Sequence, residues 1–165
     1  MIVRLLKHLS FGKWSVYSKF SKTAFKNIEE TIRKSEMLHR GEIRFAVESS
    51  LSPLLVFRKI SGRDRAIDFF TSLRIWDTED NTGVLIYLLL ADRDIEIIAD
   101  RGIHKKVEQA TWDEICHGME KMFREGKFEE GVIKGINDIT YYLAKYFPHN
   151  GYDNPNELPN HSVIV

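Results

Sequence analysis

"IWDTEDNTGVLIYLLLADRDIEIIADRGI", residues 75 to 103, decides the fold. Its centre, "GVLIYLLLA" at 83–91, is apolar at consecutive positions, so both faces must be covered and the segment reads as a central strand. "IEIIA" at 95–99 is a second strand. The turn "DRD" at 92–94 is too short for anything but an antiparallel hairpin. Directly before the apolar run stand the oxygen-bearing side chains of Asp77, Thr78, Glu79, Asp80 and Asn81, and directly after the hairpin stands Asp100.

Working outward, "EIRFAVE" at 42–48 alternates Ile43, Phe45 and Val47 with Arg44 and Ala46, which predicts another strand. A helix is expected over 22–39, with Phe25, Ile28 and Ile32 on one face and Gly41 as its stop. The Pro-containing connection 49–60 has no pattern that fixes its conformation. Ser61 with Asp64 forms a capping box that opens a helix whose buried stripe is Ala66, Phe69, Phe70 and Leu73. Thr111 with Glu114 has the same spacing and is expected to open a helix burying Trp112, Ile115, Cys116 and Met119. Gly126 stops that helix. A last helix carrying Phe128, Val132, Ile136, Ile139 and Leu143 ends at Phe147-Pro148.

The order of elements calls for an α/β fold, a three-layer α/β/α sandwich around a small mixed sheet containing the antiparallel hairpin. A right-handed parallel crossover from 42–48 to 83–91 fixes which strand ends coincide. Asp77, Glu79, Asp80, Asn81, Asp100 and Glu42 then share one edge of the sheet. The opposite edge holds Glu48, Ser49, Ser50, Asp92 and Asp94, and it becomes the edge of interest if the crossover runs otherwise. Three segments are expected: a basic amphipathic arm (1–21), the domain (22–148) and a flexible tail (149–165) whose "SVIV" is a candidate edge strand.

With 165 residues, one domain with a real core is expected, and the zero formal net charge gives no global attraction to nucleic acid. The single cysteine and six scattered histidines offer no disulfide and no zinc spacing. No apolar run reaches the roughly 18 residues of a membrane span, and Arg4, Lys7 and His8 interrupt any secretory signal. A reducing cytoplasm is the expected compartment. The charge is nevertheless uneven: Arg4, Lys7, Lys13, Lys19, Lys22 and Lys26 precede the first acid, Glu29. Ile2, Leu5, Leu6 and Leu9 recur at helical spacing among them, with Phe11, Trp14 and Tyr17 behind. Such an arm (residues 1–20) either docks on the domain with its lysines in water or lies on an anionic membrane surface.

Crowded carboxylates must protonate, spread into water or share a cation. Oxygen donors without His or Cys favour calcium, or magnesium, as that cation. The loop opens like an EF-hand, but its glycine comes one residue late and Leu88 stands in place of the closing glutamate. Taken alone, the stretch is equally that of a solvated acidic loop entering a strand.

"HRGEIRFAVE", "RAIDFFTSLRIWDTEDNTGVLIYLLLADRDIEIIADRGI", the later "W", "FREGKFEEGVIKGI" and "YFP" together resemble a TPM-domain protein over about residues 25–148. The family is named for members of the thylakoid lumen, of photosystem repair and of receptor modulation. The resemblance implies an α/β/α sandwich, calcium binding at an acidic edge in some members and acid phosphatase activity in some plant members. Residue by residue, the family's D-N-x-G element falls on Asp80, Asn81 and Gly83, and its D-x-G element on Asp100 and Gly102. Asp77 and Glu79 belong to a longer W-D-T-E form of the loop. Many relatives carry a signal peptide and a membrane helix or Gly-rich tail. This chain resembles the stand-alone bacterial branch, which implies a LemA-type membrane protein as partner.

The expected function is therefore calcium binding at the acidic edge in a non-catalytic role. One alternative is a metal-dependent phosphomonoesterase, with Arg101 clamping phosphate oxygens and His104 as general acid. The other is a structural partner module of a membrane protein. Cys116 lies on an apolar stripe and reads as a core thiol rather than a nucleophile.

Overall fold

The two apolar strands lie side by side and parallel: β1 (Glu42–Glu48) pairs with β2 (Gly83–Leu89) in the register Glu42↔Gly83 to Glu48↔Leu89. β3 (Asp94–Ala99) completes the expected antiparallel hairpin with β2, from Leu89↔Asp94 to Val84↔Ala99. The "SVIV" segment does add an edge strand, β4 (Val163–Ile164), parallel to β1. The sheet order is β3-β2-β1-β4. The computed structural model describes residues 2–151 and 156–165. Part of the expected flexible tail, residues 152–155, lies outside the described residues.

Every residue of β1 and β2 is buried, as their two covered faces require. On one face Ile43, Phe45, Val47, Val84, Ile86, Leu88, Ile95 and Ile97 pack with α3 (Lys22–Glu36), α7 (Gln109–Arg124) and α8 (Phe128–Tyr146). On the other face Ala46, Leu85, Tyr87 and Leu89 meet α4 (Pro53–Phe57), α5 (Gly62–Ser72) and Leu158 of the C-terminal segment. The three-layer sandwich is thus present, with four strands and eight helices among the described residues. The short α6 (Arg101–His104) follows β3 directly.

Of the two expected capping boxes, one forms and one does not. The Ser61 capping box forms in full: the Ser61 hydroxyl accepts the Asp64 N–H, and the Asp64 carboxylate accepts the Ser61 N–H at 2.9 Å. The Thr111 box does not form. α7 begins at Gln109 behind Glu108, and Thr111 lies in its first turn. Gln109 Nε2 donates to Asp113 at 2.8 Å in the first turns, and Trp112 is buried as expected. The helix expected over 22–39 ends at Glu36, and His39 is instead bridged to Pro148 in extended backbone.

The N-terminal arm forms α1 (Ile2–Leu9) and α2 (Lys13–Lys19). Val16 and Phe20 are wholly buried in the main core. α1 docks through its polar side: Arg4 bonds Asp92 and the Ile60 carbonyl, and His8 bonds Asp92 and the Leu51 N–H. Among the described residues no helix is long and apolar enough to cross a membrane.

Candidate functional site: the acidic edge of the sheet

The parallel crossover brings the start of β1, the start of β2 and the end of β3 to one edge, and with them Glu42, the 77–81 loop and Asp100. Two glycines let this happen. A Cβ on Gly83 would lie 1.9 Å from the Ile75 carbonyl oxygen, and one on Gly102 would lie 2.3 Å from the Asp80 and 2.5 Å from the Asn81 carbonyl oxygens. Backbone passes against backbone at both points, so only glycine fits. Asn81 takes the left-handed conformation (φ 55°), which asparagine tolerates better than most residues. Its carbonyl then accepts the Gly102 N–H at 2.9 Å, while Gly83 accepts the Asp100 N–H at 2.9 Å. The loop before β2 is thereby welded to the start of α6.

Arginines meet the acids of this edge. Arg40 Nη1 is paired with Asp80, Arg74 donates to Asp77 at 2.6 Å, and Arg101 Nε donates to the Asn81 side-chain oxygen at 2.9 Å. Glu79 is exposed, and its N–H donates to the Glu157 carboxylate at 3.1 Å. Burial lifts the Glu157 carboxyl above the usual range, and the charges of Glu79, Asp80 and Asp77 add to that. Asp100 caps α6: its Oδ1 accepts the Arg101 N–H at 2.7 Å, while its buried Oδ2 has no hydrogen-bond partner.

Glu42 extends the edge inward. Its Oε1 accepts the Glu157 N–H at 3.1 Å, and its Oε2 is buried without a partner. Glu36, at the end of α3, accepts the Ile43 N–H at 3.3 Å and the Asn160 side-chain amide at 2.7 Å. Burial raises both carboxyls, and the Glu42 charge raises Glu36 further. Two buried carboxyls this close share a proton instead of both ionising. Arg44 lies in their field, 3% exposed, with Nε and Nη1 unpartnered. His39 is fully buried and accepts the Gly41 N–H at Nδ1, and burial lowers its ring to about 4, so it is neutral.

The donor set, carboxylates plus amide and backbone oxygens, suits a hard divalent cation. The orphaned Asp100 Oδ2 fits such a ligand role as well. Convergence is the missing part: among the described residues no group of three or more His, Cys, Asp or Glu side chains is arranged to hold a metal ion. The guanidinium groups of Arg40, Arg74 and Arg101 satisfy the loop instead. His104 is exposed on α6, and the half-buried Cys116 thiol is pushed up to about 12 by burial, which removes it as a nucleophile.

Sequence reading missed Arg40, Glu36 and Glu157. Glu157 meets Glu79 across 78 residues of chain and Glu42 across 115, and Glu36 meets Asn160 across 124; no local spacing signals such pairs. Arg40 could have been suspected, since it stands in "HRGE" at the mouth of β1.

A model of the TPM domain matches residues 18–142. The solution NMR structure of BA42 protein from the psychrophilic bacterium Bizionia argentinensis superposes with a TM-score of 0.78 at 33% sequence identity, covering 88% of this chain and 95% of that one. No curated protein matches the chain. A family match over most of the length, with a similar structure at that identity, shows that this chain belongs to the TPM-domain family.

Proposed function

We propose that the acidic edge binds a divalent cation, calcium in preference to magnesium, and that the protein serves a non-catalytic role through it. Asp80, Asn81 and Asp100 would hold the ion, with Asp77 and Glu79 beside them and Glu42 behind. The observation that carries this reading is the buried, unpartnered Oδ2 of Asp100, set against a loop whose backbone is fixed by Gly83 and Gly102. A carboxylate oxygen without a donor is costly unless something cationic or protic reaches it. Calcium accepts the irregular, oxygen-only geometry of a loop and a helix start better than magnesium does. The ion would take the place of the Arg40 and Arg101 guanidinium groups.

The test is a thermal melt of metal-stripped protein with calcium or magnesium added back. At 100 times its Kd, a ligand of the folded state adds about 2.7 kcal/mol, a rise of several degrees for a domain of this size. Asp80→Ala and Asp100→Asn should each abolish the rise. A flat response of the unaltered protein would sink the reading.

An acid phosphatase at the same edge is the second reading. Arg101 favours it, because its guanidinium stands beside Asn81 where it could clamp phosphate oxygens. Metal-dependent hydrolysis of an aryl phosphate, lost in Asp100→Asn, would replace the non-catalytic role with this one.

A further inference from the structure

At the opposite end of the sheet, α1 is mounted with its polarity reversed. An amphipathic helix that only stabilised its domain would bury the apolar stripe and show its charges to water. Here the docked side carries Arg4 and His8, with Leu5 as the one apolar residue of α1 packed against the core. Ile2, Val3, Leu6 and Leu9 point outward, each 61% exposed or more. α4 packs beside α1 and adds Leu54 and Phe57, 59% and 54% exposed. Arg4 ties α1 to the turn that follows α4 by donating to the Ile60 carbonyl at 2.7 Å. Exposed aliphatic and aromatic residues on two adjoining helices are too many to be incidental.

The charge around this patch identifies what covers it. Lys7 and Lys13 flank the α1 stripe in sequence, and Arg58 and Lys59 follow Phe57, while no acid occurs before Glu29. Among the described residues none of these four cations forms a salt bridge. Trp14 and Tyr17, exposed on α2, are the residue types favoured at a lipid headgroup layer. Long lysine and arginine stems can lie along acyl chains while their heads stay among phosphates.

We propose that α1 and α4 form a peripheral membrane-docking face for an anionic bilayer, with Ile2, Leu6, Leu9 and Phe57 entering the interface. The face is distinct from the acidic edge and independent of any cation there. The net charge of the whole chain is zero, so the attraction to anionic lipid comes from the local cluster of cations at this end and not from the chain as a whole.

The experiment is co-sedimentation of the full chain with phosphatidylcholine vesicles, with and without phosphatidylglycerol, in the presence of a chelator. Binding should appear only with the anionic lipid and fall about tenfold or more on raising salt to about 0.5 M. Trp14 emission should shift to the blue, a change absent from Trp14→Phe. The double variant Leu6→Asp, Leu9→Asp should lose binding with an unchanged melting temperature, since both side chains are already in water. Equal binding by that variant, or no binding by the unaltered chain, would overturn the proposal. So would a stable dimer that this variant dissolves, which would assign the face to a second copy of the chain.

Discussion

Acids stand at both ends of the sheet, and the two ends treat them differently. At the C-terminal end of β1, Glu48 is saturated: Arg65 reaches both carboxylate oxygens at 3.0 Å, and the Tyr87 hydroxyl donates at 2.6 Å. Burial and the Glu48 carboxylate both raise the Tyr87 phenol, so it stays a donor at any physiological pH. Asp92 is equally complete. Burial raises its carboxyl, but Arg4 and His8 outweigh that and hold it below its ordinary range. At the N-terminal end of the same strand, Asp100 and Glu42 each keep a buried oxygen with no donor. Saturation is what an ion network needs to hold a fold together. An unmet oxygen is what a ligand or a proton can use.

The largest effect expected from this contrast is on Glu48→Ala. Removing it strands the half-buried Arg65 and the buried Tyr87 hydroxyl together, a loss of about 3 kcal/mol in urea unfolding. Asp100→Asn in metal-free protein should cost less than about 0.5 kcal/mol, because asparagine serves as well at a helix N-cap. Comparable losses at the two positions would erase the distinction between a structural end and a ligand-ready end.

Much of this was legible in the sequence, for definite reasons. The apolar run at 83–91 could only be a doubly covered strand, and the short turn at 92–94 left no choice but a hairpin. The usual handedness of a parallel crossover then placed Glu42, the 77–81 loop and Asp100 at one edge, where the structure has them. The roles of Gly83 and Gly102 needed coordinates, because the close approaches come from the Ile75, Asp80 and Asn81 backbones. The counter-ions were invisible for another reason. Arg40 meets Asp80 and Glu157 meets Glu79 through tertiary packing, and neither pair has a sequence interval that means anything locally. The reversed mounting of α1 was equally hidden. Its helical period was evident, but which side docks depends on Asp92 waiting at the hairpin turn.

The acidic end also differs in how it responds to pH. In Glu36 and Glu42 the folded carboxyls are raised, by burial first, so the folded state binds a proton that the unfolded chain releases near its ordinary pKa. Stability from this pair is fully present below the unfolded pKa and is lost as pH rises through the folded range. Glu36→Gln cannot ionise and should flatten that loss. Measured against the unaltered protein, its relative stability should improve by about 1–2 kcal/mol between pH 5 and pH 8. A difference that stays constant across that range would show that the pair does not share a proton.

The smallest effect is the one that sharpens the comparison most. Arg40 lies with its side chain against Asp80, while its backbone N–H and carbonyl are bound separately to Phe147 and Thr82. Arg40→Ala therefore removes the guanidinium without disturbing the chain path. A half-exposed ion pair of this kind contributes less than about 1 kcal/mol, so the variant should melt close to the unaltered protein. If the guanidinium stands in for a cation, its removal frees Asp80, and calcium should bind a few-fold more tightly by calorimetric titration. The corresponding change at the saturated end, Arg65→Ala, should destabilise the protein and leave calcium affinity as it was. Calcium binding weakened by Arg40→Ala would mean that the arginine positions Asp80 for the ion instead of competing with it.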